Sequence, residues 1–338
     1  MIINEVTEIN EILKKTSGNN VALVTHINPD GDGLGTAIAL SICLKKIYEA
    51  IPYLIMDSVY PSFMNYLEQA NCRIVSYKDY ISTINKDFDC LIVLDCHERN
   101  RIDCDPHIFG ISKKVLMIDH HIVKDVEFMD EYDYYIDIKA TSTGIIVHRV
   151  VKDEIYKNES RRKEFSLTTY AACIYTSIIN DTDNFLNTNL NQETFSVVAD
   201  LMLLGLQPSI IANKFLNSGS IKYYKFIGNV LSTIEVKGKI AFYYATLKML
   251  TDNGLLDEAY SKMMRWTKGA FDVEITICFQ EYVNNIWRVS LRSESYNVAK
   301  IAHYFQGGGH MKAAGFKITG EFSQIKEKVL SYIEATIV

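Results

Sequence analysis

The chain has 338 residues, room for two domains, and its 48% hydrophobic and 22% charged content is that of a packed globular protein. No apolar run reaches the roughly 18 residues of a spanning helix, so no membrane segment is expected. A formal charge of −6, from 35 basic and 41 acidic side chains, argues against a protein that grips long nucleic acid, which needs a basic excess.

In chain order, "MIINEVTEINEILKK" reads as an amphipathic helix, because it lacks the basic start and continuous apolar stretch of a signal peptide. Near-continuous apolar strands follow, in "VALVTH", "YLIMDS", "CRIVSY", "DCLIVLDC" and "KKVLMIDHH". Between them lie helical patterns such as "LGTAIALSICLKKIYEA" and "PSFMNYLEQA". Apolar strands alternating with helices predict a mostly parallel sheet covered on both faces, with ligands beyond the carboxyl ends of its strands. Residues 141–215 are mainly helical by pattern, with Gly205 capping one helix. Beyond them, strand-like runs joined at Lys237-Gly238 and Asn284-Asn285, a short helix "VAKIAHYF", a glycine cluster and a final helix predict a smaller α+β domain. The expected division is an α/β domain over 1–205, a helical linker over 206–228 and the α+β domain over 229–338. Seven cysteines, odd in number and without a CxxC pair, fit reduced thiols in a cytoplasm.

The chemistry starts at "THINPDGDGLGT", where His26, Asp30 and Asp32 follow the first strand. An EF-hand reading fails, since the twelfth position counted from Asp30 is Ser41 rather than Glu. A dinucleotide loop fails too, since Thr36 stands where the third glycine belongs. Helix capping by Asp32 alone leaves His26 unexplained. Further strand ends supply Asp95 and the trio Asp119, His120 and His121, and a helical stretch supplies Asp181 and Asp183. Each residue alone has an ordinary structural explanation; the set, gathered at successive strand ends, does not. Carboxylates with one or two imidazoles suit Mn²⁺ or Mg²⁺ better than structural zinc. Two such ions about 3.5–4 Å apart could activate water and clamp a phosphoryl group.

Taken together, "HINPDGDGLGT", "VLDCHERNR", "IDHH" and "NDTDNF" resemble the ordered motifs of the DHH phosphoesterase superfamily, and "SLRS…VAKIAHYFQGGGHMKAAGF" resembles its DHHA1 domain. The resemblance covers nearly the whole chain and is closest to the stand-alone oligoribonuclease and pAp-phosphatase branch, the nanoRNases. It implies His26 and Asp30 on one metal, Asp32, His120 and Asp181 on the other, and Asp95 bridging. It also implies His121 facing the substrate, Asp119 orienting an imidazole, and Arg101 as a further phosphate contact. In the second domain it implies substrate binding by Arg292, Ser293, Gly307, Gly308, Gly309 and His310. Arginine's planar fork matches phosphate, and glycines let backbone N–H groups approach an anion. Two departures stand out: Asp183 replaces a glycine, and Gln306 precedes three glycines where four are common.

The resulting expectation is a cytoplasmic phosphoesterase that uses two divalent ions, Mn²⁺ before Mg²⁺. It acts between its domains on short RNA or on 3′-phosphoadenosine 5′-phosphate (pAp), without membrane or long nucleic-acid partners, and homodimer formation is compatible with it. The rivals are a pApA phosphodiesterase and, from another class, a non-catalytic nucleotide-binding protein.

Overall fold

The computed structural model describes every residue except 1, 62–63, 68–71, 123–130, 188, 218, 256–262, 268–271, 283–284 and 338. Two compact units, Met1–Ser218 and Gly219–Val338, each have their own sheet.

In the first unit, α1 (Val6–Lys14) precedes six strands: β1 (Asn20–Val24), β2 (Ile51–Ile55), β3 (Ile74–Val75), β4 (Cys90–Leu94), β5 (Val115–Asp119) and β6 (Asp133–Ile136). All are parallel, in the order β3-β2-β1-β4-β5-β6. Helices α2 (Gly31–Lys46) and α3 (Tyr77–Thr83) lie between strands, and α4 (Thr143–Tyr156), α5 (Glu159–Ser166), α6 (Tyr170–Asp181), α7 (Gln192–Leu203) and α8 (Pro208–Leu216) follow β6. The strands are apolar throughout because both faces are buried. Val21 and Leu23 pack toward α2, α4 and α6, while Ala22 and Val24 pack toward Tyr80, Phe88 and Ile108. β6 is a strand that the sequence patterns did not suggest. The helix expected over "PSFMNYLEQA" lies partly outside the described residues, and Met64, Asn65, Tyr66 and Leu67 form a 3₁₀ turn.

The strand order reverses between β1 and β4, which opens a crevice at their carboxyl ends. Helix α2 begins there and packs closely on α6: a Cβ at Gly35 would lie 2.6 Å from the Cys173 carbonyl oxygen. That glycine therefore serves helix packing. Gly205, at φ +86°, terminates α7 as expected.

The second unit contains α9 (Ile221–Leu231), β7 (Glu235–Lys237), β8 (Ile240–Ala245), α10 (Leu247–Asp252), β9 (Ile275–Glu281), β10 (Ile286–Arg292), α11 (Val298–Tyr304), β11 (Gly308–His310), β12 (Ala313–Thr319) and α12 (Phe322–Ile337). Its sheet runs β11-β12-β10-β9-β8-β7, antiparallel except for β8 and β9. Phe279, Val289, Leu291 and Phe316 fill the core on one face with residues of α11 and α12, including Ile301 and Val329. Tyr243 and Cys278 pack with α9 and α10 on the other. Gly238 (φ +58°) turns β7 into β8, and Asn285 (φ +57°) precedes β10, while Asn284 lies outside the described residues. Residues 206–228 hold α8 and the start of α9. Among the described residues, no single helix is long and apolar enough to cross a membrane.

Candidate metal centre

Four segments converge at the crevice. His26 lies two residues past β1, Asp95 directly follows β4, Asp119 ends β5 with His120 and His121 after it, and Asp181 ends α6. Asp30 caps α2, its Oδ1 accepting from the Asp32 and Gly33 amides at 2.9 and 3.2 Å. The cap is thus Asp30, and Asp32, in the first turn, is freed for another role.

Besides a set of Asp95, His120 and His121, two sets without a common residue each draw three ligand atoms within 4.8 Å of one another: His26, Asp30 and Asp95, and Asp32, His120 and Asp181. Asp95 faces both sets. Its Oδ2 lies 3.5 Å from His26 Nε2 and its Oδ1 3.7 Å from His120 Nε2. It is buried and adopts φ +59°, a left-handed conformation costing a non-glycine residue about 1–2 kcal/mol. The Asp95 amide still bonds to Ile118 at 3.0 Å, so the strand pairing holds up to the residue that turns.

Asp32, fully buried, is gripped by Ser177 Oγ (2.6 Å), Thr36 Oγ1 (3.0 Å) and the Thr143 and Gly144 amides at the start of α4 (2.8 and 3.3 Å). Thr143 Oγ1 also donates to Asp95 (3.1 Å). Asn180 Nδ2 donates to Asp30 (3.0 Å) and Asp181 (2.9 Å). The sequence reading gave these supporting residues no role, although Thr36 and Asn180 stand in the motifs "HINPDGDGLGT" and "NDTDNF".

The residues fit divalent cations on their own chemistry. His26 Nδ1 lies 3.0 Å from the Ile27 carbonyl and His120 Nδ1 3.2 Å from that of Ala140. A carbonyl only accepts, so each Nδ1 carries the proton and each Nε2 turns to the carboxylates, as metal-bound imidazoles require. His120 Nε2 is buried without a hydrogen bond of good geometry, though Asp181 Oδ2 is 2.9 Å away. Electrostatics agree. Burial, then the charge of Asp181, pushes Asp32 up to about 6, and burial with the charge of Asp32 raises Asp95 well above the carboxylate range. Burial opposes charge on His26, but Asp30 and Asp95 outweigh it and raise the imidazole to about 11. His120 rises in the same way, to about 10, through Asp181 and Asp32. So much crowded negative charge calls for cations.

His121 differs from its neighbour. Its Nδ1 lies 2.8 Å from Asp119 Oδ1, and the other oxygen of Asp119 meets His97 Nδ1 at 2.5 Å. Burial works against the Asp119 charge, but these two imidazoles hold its carboxyl well below the usual range. His97 is a site residue that sequence reasoning missed. A cavity of about 180 Å³ is lined by His26, Asp30, Asp95, His121 and Asp181, with His97 and the exposed Arg101 in its wall. Asp183 does not line it. That residue sits at φ +47°, which is why glycine suits the position and why aspartate, tolerant of this region, can replace it.

In the second unit, Arg292 ends β10, half-buried, with Nη1 2.9 Å from the Leu291 carbonyl. Burial lowers its pKa, and the charge of Arg288 acts in the same direction. Ser293 Oγ accepts from the Ser295 and Tyr296 amides (3.2 and 2.8 Å), leaving its proton to donate. The glycine cluster is an edge strand rather than a plain turn. A Cβ on Gly307 would collide with the Gly315 carbonyl, and one on Gly309 (φ +136°) with Ala314, while Gly308 faces open space. His310 pairs through its backbone with Ala313, opposite Arg292; its side chain lies outside the described structure.

This centre, at the switch point of a parallel sheet, is that of a phosphoesterase. Residues 20–178 match the DHH family, N-terminal domain, and residues 239–337 match the DHHA1 domain. The chain thus carries a DHH N-terminal domain and a DHHA1 domain, which mark a metal-dependent phosphoesterase. It is 27% identical over 318 residues to the probable bifunctional oligoribonuclease and PAP phosphatase NrnA of Streptococcus mutans, spanning 92% of this chain and 93% of that one. It is 25% identical over 331 residues to the bifunctional oligoribonuclease and PAP phosphatase NrnA of Thermus thermophilus, spanning 96% and 91%. The crystal structure of an exopolyphosphatase-related protein from Bacteroides fragilis shares the fold, with a TM-score of 0.84, 22% identity, and coverage of 98% of this chain and 97% of the other.

Proposed function

We propose that this chain hydrolyses short RNA oligonucleotides to mononucleotides and pAp to AMP, in the cytoplasm. The observation that carries the reading is Asp95, whose two oxygens face two separate ligand sets. His26, Asp30 and Asp95 would hold one divalent cation, and Asp32, His120 and Asp181 the other, with Asp95 shared. Bound there, Mn²⁺ or Mg²⁺ supplies charge neutralisation at the phosphoryl group and lowers the pKa of water. Mn²⁺ is favoured, because imidazole nitrogens share the site with oxygens.

The chain's own residues do the rest. Asp119 accepts from Nδ1–H of His121, which leaves Nε2 for the leaving oxygen; the ring enters the step as imidazolium, gives its Nε2 proton to that oxygen and leaves as the neutral Nδ1–H tautomer. Arg101, exposed in the cavity wall, meets a non-bridging phosphate oxygen. In the second unit Arg292, Ser293 and the strand from Gly307 to His310 hold parts of the substrate remote from the reacting phosphorus. The similarity to proteins named oligoribonuclease and PAP phosphatase supports this choice of substrates.

The test is a panel of pAp, pApA, RNA two- to five-mers and a long single strand, assayed with Mn²⁺. The reading expects kcat/KM to peak among pAp and the two- to five-mers. Rising efficiency out to about twenty nucleotides with a steep salt slope would contradict it, and activity on pApA alone would place the chain in dinucleotide turnover.

A further inference from the structure

The second unit's sheet carries a feature beyond the motif residues. Across three strands, His310, Ala313 and Arg292 lie in one register row, and Gly308, Gly315 and Ser290 in the next. One row further, Lys317 pairs directly with Arg288, which pairs with Gln280. Directly paired residues share a face of the sheet, so Arg288 and Lys317 stand on the face of Arg292, beyond a floor of two glycines. The Lys317 ammonium also lies 5.6 Å from the ring centre of Tyr282, which is 50% exposed.

This arrangement is costly without a ligand. Like charges directly opposed across a ladder destabilise it. Neither Arg288 nor Lys317 forms an ion pair with any described residue, and both are exposed. Lysine often guards sheet edges, and Lys317 lies where β11 no longer covers β12, but Arg288 stands on β10, paired on both sides, so edge protection does not account for the facing arginine. Two exposed cations without an ion-pair partner among the described residues, beside a half-exposed aromatic ring, in a chain of net charge −6, form the combination that binds single-stranded nucleic acid: cations for phosphate, a ring for a base.

We propose that Arg288, Lys317 and Tyr282 form a second nucleotide subsite, which takes a phosphodiester and its stacked base from an RNA strand already held at Arg292. The inference rests on the oligonucleotide reading above. Arg288 and Arg292 are four residues apart on one strand, roughly 13 Å at the rise of a β-strand. A substrate spanning them carries more than one internucleotide phosphate, so the subsite acts on three-mers and longer.

The experiment uses the full chain, with Mn²⁺, as wild type and as Arg288→Ala, Lys317→Ala, Tyr282→Leu and Arg288→Lys. It measures kcat and KM for pAp and for RNA two- to five-mers, and five-mer binding by fluorescence anisotropy at two salt concentrations. In Arg288→Ala the ratio of KM for the five-mer to KM for pAp should rise at least about fivefold, with a salt slope shallower by roughly 0.7. Arg288→Lys should recover part of the loss, and Tyr282→Leu should weaken the five-mer without changing the salt slope. Equal proportional losses on pAp and the five-mer, or none on either, would overturn the subsite. So would a wild-type chain that binds five-mers no better than pAp. Wild-type failure to cleave any RNA while five-mer binding still depends on Arg288 would sink the oligonucleotide reading and leave the subsite standing.

Discussion

His97 Nδ1 lies 2.5 Å from Asp119 Oδ2, so a carboxylate that already holds His121 by its other oxygen is fixed from both sides. Asp119 cannot turn without breaking one of the two contacts, and the ring of His121 is set with it. His97→Ala should lower kcat on pAp by about 10- to 100-fold, the usual cost of losing such a supporting contact, with KM little changed. His97→Asn, whose amide can stand in for the Nδ1–H donor, should recover part of the rate. Steady-state kinetics of the three proteins decide it; unchanged kcat in His97→Ala would remove His97 from the reaction.

The protonation of the cation-free centre gives a second prediction. His26 and His120, raised to about 11 and 10, stay charged at neutral pH. Their contribution to stability is full below the unfolded value near 6.5 and is lost as pH rises through 10–11. Asp32 acts in the same direction, in a lower pH window. Its folded value of about 6 lies above that of the unfolded chain, so stability falls as pH rises from about 4 to 6. Cations must therefore displace the two imidazolium protons at pH 7.5. Calorimetry in buffers of different ionisation enthalpy should show about two protons released per chain on Mn²⁺ binding. Zero release would mean the two imidazoles are not ligands.

Helix packing gives a third. Gly35→Ala places a methyl 2.6 Å from the Cys173 carbonyl oxygen, whereas Gly110→Ala meets nothing within 4 Å. Urea unfolding should show a loss of about 1–3 kcal/mol for the first and less than about 0.5 for the second. Equal midpoints would refute the account of the glycine spacing.

These cases show what the sequence carried. His26, Asp95, Asp119, His120 and His121 stood out because strand ends in parallel sheets collect ligands, and the apolar runs marked those ends, whereas Asp30, the cap of α2, and Asp181, the last residue of α6, stood out through the motifs that hold them. β6 was hidden because its four residues, "DYYI", carry no turn signal and too little length for a pattern. His97 was hidden because its partner is 22 positions away, on a neighbouring strand. The row of Lys317 and Arg288 needs the register of two strands, which periodicity does not fix. Capping was weighed only for Asp32, a ligand candidate in its own right, because Asp30 and Asp32 both stand at the start of one helix and only the backbone conformation marks Asp30 as the cap.

The central claim is that two cations, sharing Asp95, are needed for hydrolysis. Protein stripped with a chelator and titrated with Mn²⁺ while pAp turnover is followed tests it most directly. The account predicts no turnover in stripped protein, little at one equivalent of bound Mn²⁺, and a rise to the plateau as the second binds. Full turnover in stripped protein, or a plateau at one equivalent, would contradict it.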